Sequence, residues 1–149
     1  MNYVKEAENY LKHFKDLHNS VNRMDKQISR LVSKAGPKDI TAMIMDERLG
    51  DGNHDETLNM LFEMQVLTDN KKKTEKKLHE IDDLLNKLSE KPGCEHYGKV
   101  LRQWYIEGVT EWEIAQELKY SERHVRRIKG QAIRRFAVMM FGIEPLKII

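Results

Sequence analysis

Between residues 3 and 31 the apolar side chains fall at alternating steps of four and three: Tyr3, Ala7, Tyr10, Phe14, Leu17, Val21, Met24, Ile28, Leu31. A repeat of about 3.5 residues keeps one seam turned toward a partner helix, so this spacing predicts a coiled-coil strand. Lys12, Lys15, Asp16, Arg23 and Lys26 fall off the seam and face water. Gly36-Pro37 ends the helix, because the residue before proline avoids the α region. Pro37 then opens a short helix to about residue 49, with Ile40, Met43 and Ile44 inward. After the turn cluster Gly50-Asp51-Gly52-Asn53, Asp55 offers an N-cap for a second long helix reaching about residue 89. Its seam runs Met60, Met64, Leu67, Lys71, Thr74, Leu78, Ile81, Leu85, Leu88. Lys71 and Thr74 are polar at seam positions, where they weaken pairing and set register or partner number. The lysine runs at 71–73 and 76–77 are interleaved with Asp69, Glu75, Glu80, Asp82 and Asp83, which reads as a solvated face. The two seams are buried either against each other, as a hairpin, or against a second chain; the connector permits both.

Lys91-Pro92-Gly93 is the strongest boundary. It divides the chain into a helical arm, residues 1–91, and a carboxy-terminal domain, residues 95–149. With 40% hydrophobic and 34% charged residues, the 149-residue chain is charge-rich without being forced into disorder. Cys94 is the single cysteine, so no intramolecular disulfide forms, in keeping with a reducing cytoplasm. Cys94 and His96 supply two metal ligands at most and read as a linker thiol and a surface histidine. No stretch approaches 18 apolar residues, and the polar, acidic start does not resemble a signal peptide. The expectation is a cytoplasmic protein with no membrane partner, metal or cofactor.

Charge is unevenly distributed. Residues 1–95 hold 16 Lys and Arg against 18 Asp and Glu, whereas residues 96–149 hold 10 against 6. Within residues 121–136 the count is six basic to one acidic. Three helices are legible in this half. The first, 96–107, turns Val100, Leu101, Trp104 and Tyr105 to one side and ends at Gly108. The second begins at a Thr110/Glu113 capping box and runs to Leu118. The third begins after Ser121 as N-cap and reaches about residue 141. A short helix, a tight turn and a longer basic helix make the helix-turn-helix pattern. Ala115 marks the close crossing, and Ile114, Leu118, Tyr120, Val125 and Ile128 are the apolar lock. Lys119 stands where the turn commonly has glycine, and a left-handed conformation there is costly for lysine, so a different turn shape is expected. On the third helix Val125, Ile128, Ala132, Ile133 and Phe136 face inward. Arginine pairs bidentately with guanine and glutamate accepts from cytosine, and the leading turns of such a helix reach the bases. Glu122, Arg123, Arg126 and Arg127 are therefore assigned to base reading. Ser121, His124, Lys129, Gln131, Arg134 and Arg135 are assigned to the DNA backbone. The apolar tail from Ala137 onward either packs on Trp104 and Trp112 or forms an interface for dimerisation or polymerase contact.

Residues 101–136, with Ser121, Val125, Arg126, Ile128, Ala132, Ile133, Arg134, Arg135 and Phe136 in order, resemble region 4 of bacterial sigma-70 factors. The resemblance implies a promoter-reading helix, with Glu122, Arg123, Arg126 and Arg127 on its base-contacting positions, and contact with RNA polymerase. The layout of the whole chain resembles small late-gene regulators of Gram-positive phages and prophages (the ArpU and RinA type). The amino-terminal half carries no tryptophan and no unbalanced basic helix for melting DNA, so an activator or accessory regulator is expected rather than a complete sigma factor. The expected partners are double-stranded DNA, RNA polymerase and further copies of the chain, as a homodimer or higher oligomer. Two other classes stay open: a small-terminase-like DNA-packaging adaptor, although those usually place the DNA head first and here it is last, and a protein that binds polymerase or sigma without DNA. No phosphate loop, nucleophile elbow or zinc-protease motif is present, and a non-enzyme is expected. The expected fold is all-α: a helical hairpin or coiled coil followed by the sigma-region-4-like helix-turn-helix.

Overall fold

The computed structural model describes residues 2–35 and 54–148, and among them every regular element is helical. The predicted break at Gly36-Pro37, the short helix at 38–49 and the turn at 50–53 lie outside the described residues. The elements are α1 (Tyr3–Lys12), α2 (Phe14–Ala35), α3 (His54–Leu88) and α4 (Tyr97–Leu101), which continues as a π-helix (Arg102–Ile106). They are followed by α5 (Glu111–Leu118), α6 (Glu122–Phe141) and a 3-10 turn (Glu144–Ile148).

The chain divides into two compact units. One joins the residues up to Asp16 to those from Leu78 onward; the other is Leu17–Lys77. The division therefore does not fall at the Pro-Gly boundary. The reason is the core of the first unit, where Ala7 and Leu11 of α1 and Ile81, Leu85 and Leu88 of α3 pack with Leu101, Ala132, Ile133, Phe136 and Ala137. The end of the predicted arm and its first helix are thus walls of the carboxy-terminal unit. The first helix is also not one continuous strand. It breaks at His13, whose N–H is taken up by the carbonyls of Asn9 and Leu11. Leu11, off the 4-3 seam, is fully buried. Asn2 caps α1, its side chain accepting from the Lys5 N–H.

The tail continues this core. Met139, Met140 and Phe141 pack against it, and the Phe141 ring lies 5.2 Å from that of Tyr3. The expected partner Trp112 is instead 60% exposed. Gly142 ends α6 at φ 70°, and beyond it Ile143 and Leu146 are exposed.

In the unit Leu17–Lys77, α2 and α3 run antiparallel. Lys71 pairs with Asp25 of α2, while Leu31 and Lys34 of α2 line a cavity with Glu56, Asn59, Met60 and Glu63 of α3. The polar seam residue Lys71 thus has its counter-charge on the facing helix. Donation to Asp25, with a second carboxylate at Glu75 3.7 Å away, raises its pKa. Helix α3 starts at His54, which puts Asp55 inside its first turn rather than at its cap.

Candidate nucleic-acid interface

The surface around α6 is assembled from α4 upward. Gly98 sits against the backbone of α3, with its N–H donating to Ser89 Oγ at 2.9 Å. At residue 102 the helix widens: the Glu107 N–H reaches the Arg102 carbonyl, and the Val109 N–H reaches that of Gln103. This π turn buries Gln103, which the simple helical pattern does not anticipate. Arg102 anchors the segment to α3 through Asp82 and Asn86, each at 2.9 Å. Glu117 ties α4 and the π turn to α5. It accepts from Gln103 Nε2 at 2.7 Å and pairs with Lys99 at 2.7 Å. The Lys99 bond, then that of Gln103, holds the Glu117 carboxyl below the usual carboxylate range. Burial pushes the Tyr105 hydroxyl of the π turn upward in pKa, with Glu8 of α1 adding to the shift.

Helix α5 begins at Thr110, whose Oγ1 accepts from the Glu113 N–H at 3.2 Å. Ile114 and Ala115 are buried against Val100, Val125 and Ile128, so a small side chain does stand in the contact between α5 and α6. Lys119 ends α5 at φ 60°, ψ 38°, in the left-handed region. The expectation of a different turn shape is therefore corrected. The Lys119 N–H reaches the Gln116 carbonyl and the Tyr120 N–H reaches that of Ala115, the pair of bonds of a Schellman motif. Those two bonds, with the packing of Ala115 below, hold lysine where glycine is usual. Ser121 then caps α6, accepting from the His124 N–H at 3.1 Å.

All five residues of the expected inward stripe, Val125, Ile128, Ala132, Ile133 and Phe136, are buried. The opposite side carries Arg123, Arg127 and Arg134, all exposed. They recur one turn and three turns apart on one line of a helix with 3.6 residues per turn. Glu122 is exposed in the first turn, where an acid suits the helix dipole. Arg126 lies to the side of that line and pairs with Glu111 of α5 at 3.2 Å.

The residues assigned to the DNA backbone are not brought together: Ser121 is the cap of α6 and His124 lies against Tyr120. Arg134 lies on the exposed line. Lys129, Gln131 and Arg135 turn toward α4 and the π turn. Lys129 Nζ sits 4.7 Å from the centre of the Trp104 ring, a cation–π contact, and Gln131 Oε1 accepts from the Tyr97 hydroxyl at 3.1 Å. Arg135 is partly buried. His124 meets the Tyr120 ring edge-on at 4.5 Å, and His96 meets the same ring at 5.8 Å. Tyr120, 37% exposed, is thus an edge-on contact for two imidazoles rather than a core residue. Cys94 lies in the linker between α3 and α4 and is buried, and His96 is partly buried. Burial raises the pKa of its neighbour Tyr97, and the Cys94 thiol adds to the shift.

A cavity of about 200 Å³ lies beside Tyr120, lined by His96, Tyr97, His124 and Gln131. That is smaller than the roughly 300–1,000 Å³ of small-molecule sites. Among the described residues, no three His, Cys, Asp or Glu side chains converge as a metal site. On α6, exposed arginines stand on one side and the buried apolar stripe on the other. The sequence gives no sign of the Glu111 ion pair or of the Lys129 contact with Trp104: an ion pair across two helices has no periodic signature, and the π turn that presents Trp104 has no sequence signal. Compared with protein-family models, curated proteins and solved structures, the chain gives no match.

Proposed function

We propose that this protein is a sequence-specific DNA-binding regulator of transcription that inserts α6 into the major groove. The observation that carries the reading is the exposed line of Arg123, Arg127 and Arg134 on a helix whose other side is buried. Such a helix presents its charges without yielding, and arginine forks match guanine O6 and N7. In this reading the exposed arginines first capture the duplex through its phosphates. Glu122, Arg123, Arg126 and Arg127 then read base edges from the leading turns. Ser121, His124 and Arg134 meet phosphates, with Lys129, Gln131 and Arg135 at the margin. The helix-turn-helix reading of α5 and α6, the resemblance to sigma region 4, and a role as a phage-type late-gene activator that contacts RNA polymerase belong to the same proposal. So does a homodimer placing two reading helices on one side of the DNA. Together these make a cytoplasmic, non-catalytic protein.

The test is selection of bound duplexes from a random pool at stated salt, since phosphate contacts alone yield no motif. The expected result is one enriched motif, lost in the Arg123→Ala, Arg127→Ala double variant. Binding with no enrichment, or enrichment untouched by that variant, overturns the reading.

A further inference from the structure

The geometry points to Glu111 as a positioning residue for base recognition: its carboxylate, as a counter-charge beside Arg126, biases the side on which the guanidinium meets the groove. This rests on the DNA-reading proposal and adds to it a residue outside α6. Glu111 Oε1 lies 3.2 Å from Arg126 Nη1; the Arg126 side chain is 59% exposed and that of Glu111 26%. Glu111 is itself held, because it follows the Thr110 cap in the first turn of α5, and Ile114 and Ala115 seat that helix in the core.

A guanidinium has five N–H donors in a planar fork. The contact is an ion pair by distance, without a hydrogen bond to Glu111 Oε1, so the fork keeps its donors for a base edge while the carboxylate narrows the rotamers that an unpaired arginine must surrender on binding. Among the described residues no carboxylate forms an ion pair with Arg123, Arg127 or Arg134, so the pairing singles out Arg126. The sign of the charge supports a specificity role. An acid beside a phosphate-facing ridge weakens indiscriminate binding, so a ridge built only for charge is better without it. Glu111 should therefore act oppositely on the two kinds of binding: it opposes the non-specific kind and favours the specific kind.

The experiment uses the full chain and the selected motif. Affinities of wild type, Glu111→Gln, Arg126→Ala and the double variant are measured on the selected duplex, a scrambled duplex and the set of single base-pair substitutions at one salt concentration. Glu111→Gln should bind the scrambled duplex at least as tightly as wild type and the selected duplex roughly 5- to 100-fold more weakly. The loss should fall on the base pair at which Arg126→Ala also loses discrimination, and the double variant should be no weaker than Arg126→Ala. Glu111→Asp, which keeps the charge, should recover part of the loss, and thermal melting should show that all variants remain folded. Equal weakening on both duplexes, a loss at a different base pair, or full additivity with Arg126→Ala overturns the assignment of Glu111 alone. A wild type that selects no motif instead removes the DNA-reading proposal, and the role of Glu111 with it.

Discussion

Lys119 carries backbone strain at a single position. At φ 60° an L-residue with a Cβ is less stable than glycine by about 1 kcal/mol, and the Schellman bonds of Gln116 and Ala115 hold it there. Lys119→Gly is expected to raise stability by about 1 kcal/mol in chemical denaturation; a loss of stability would show that the lysine side chain contributes something the backbone argument omits. Gly98 is the opposite case. A Cβ there would lie 2.5 Å from the Leu85 carbonyl oxygen and 2.7 Å from Ser89 Oγ. Backbone cannot step aside as a flexible side chain does, so Gly98→Ala should cost about 1–3 kcal/mol by the same measurement. Glu117 sets an acid limit. Its carboxyl is depressed by Lys99 and then Gln103, so its contribution is present above the unfolded carboxylate value and lost as pH falls through the folded one. Wild type should therefore lose stability more steeply than Glu117→Gln as pH falls from about 5 toward 3. Parallel curves would mean that the Lys99 contact is too well solvated to matter.

At the scale of elements, α6 was the most legible. Its inward stripe was readable because Val125, Ile128, Ala132, Ile133 and Phe136 repeat at helical steps and alternate with charge. Phe136→Ala should accordingly cost about 3–5 kcal/mol. The caps Thr110 and Ser121 were legible for a similar reason, since a hydroxyl before a helix has a local job. The π turn at 102–106 was not, because the extra residue in the ladder leaves the local composition unchanged. Nor was the break at His13, where a 4-3 pattern runs straight through two helices that pack on different neighbours. The pattern records which side is apolar, not which partner covers it. Lys71 shows what that pattern does tell. As a lone charge at a seam position with its partner on α2, it favours register over strength. Lys71→Leu is expected to raise the melting temperature of its unit while broadening the distribution of oligomers seen by sedimentation.

At the scale of the molecule, the proposed reading helix is not an independent module on an arm. Its unit takes Ala7 and Leu11 from α1 and Ile81, Leu85 and Leu88 from α3. A fragment of residues 95–149 should therefore lack fixed tertiary structure, with weak near-ultraviolet circular dichroism from Trp104 and Trp112, whereas the full chain is well ordered. Light scattering of the full chain should give twice 17.6 kDa if the proposed dimer forms. The same closure has a consequence during synthesis. The helix bearing Ala7 and Leu11 leaves the ribosome well before residues 122–141 and travels with its apolar side uncovered until they follow. A nascent chain cut short in that interval has no finished core to shelter in. Proteases should clear it rather than leave a defective copy competing with the whole one.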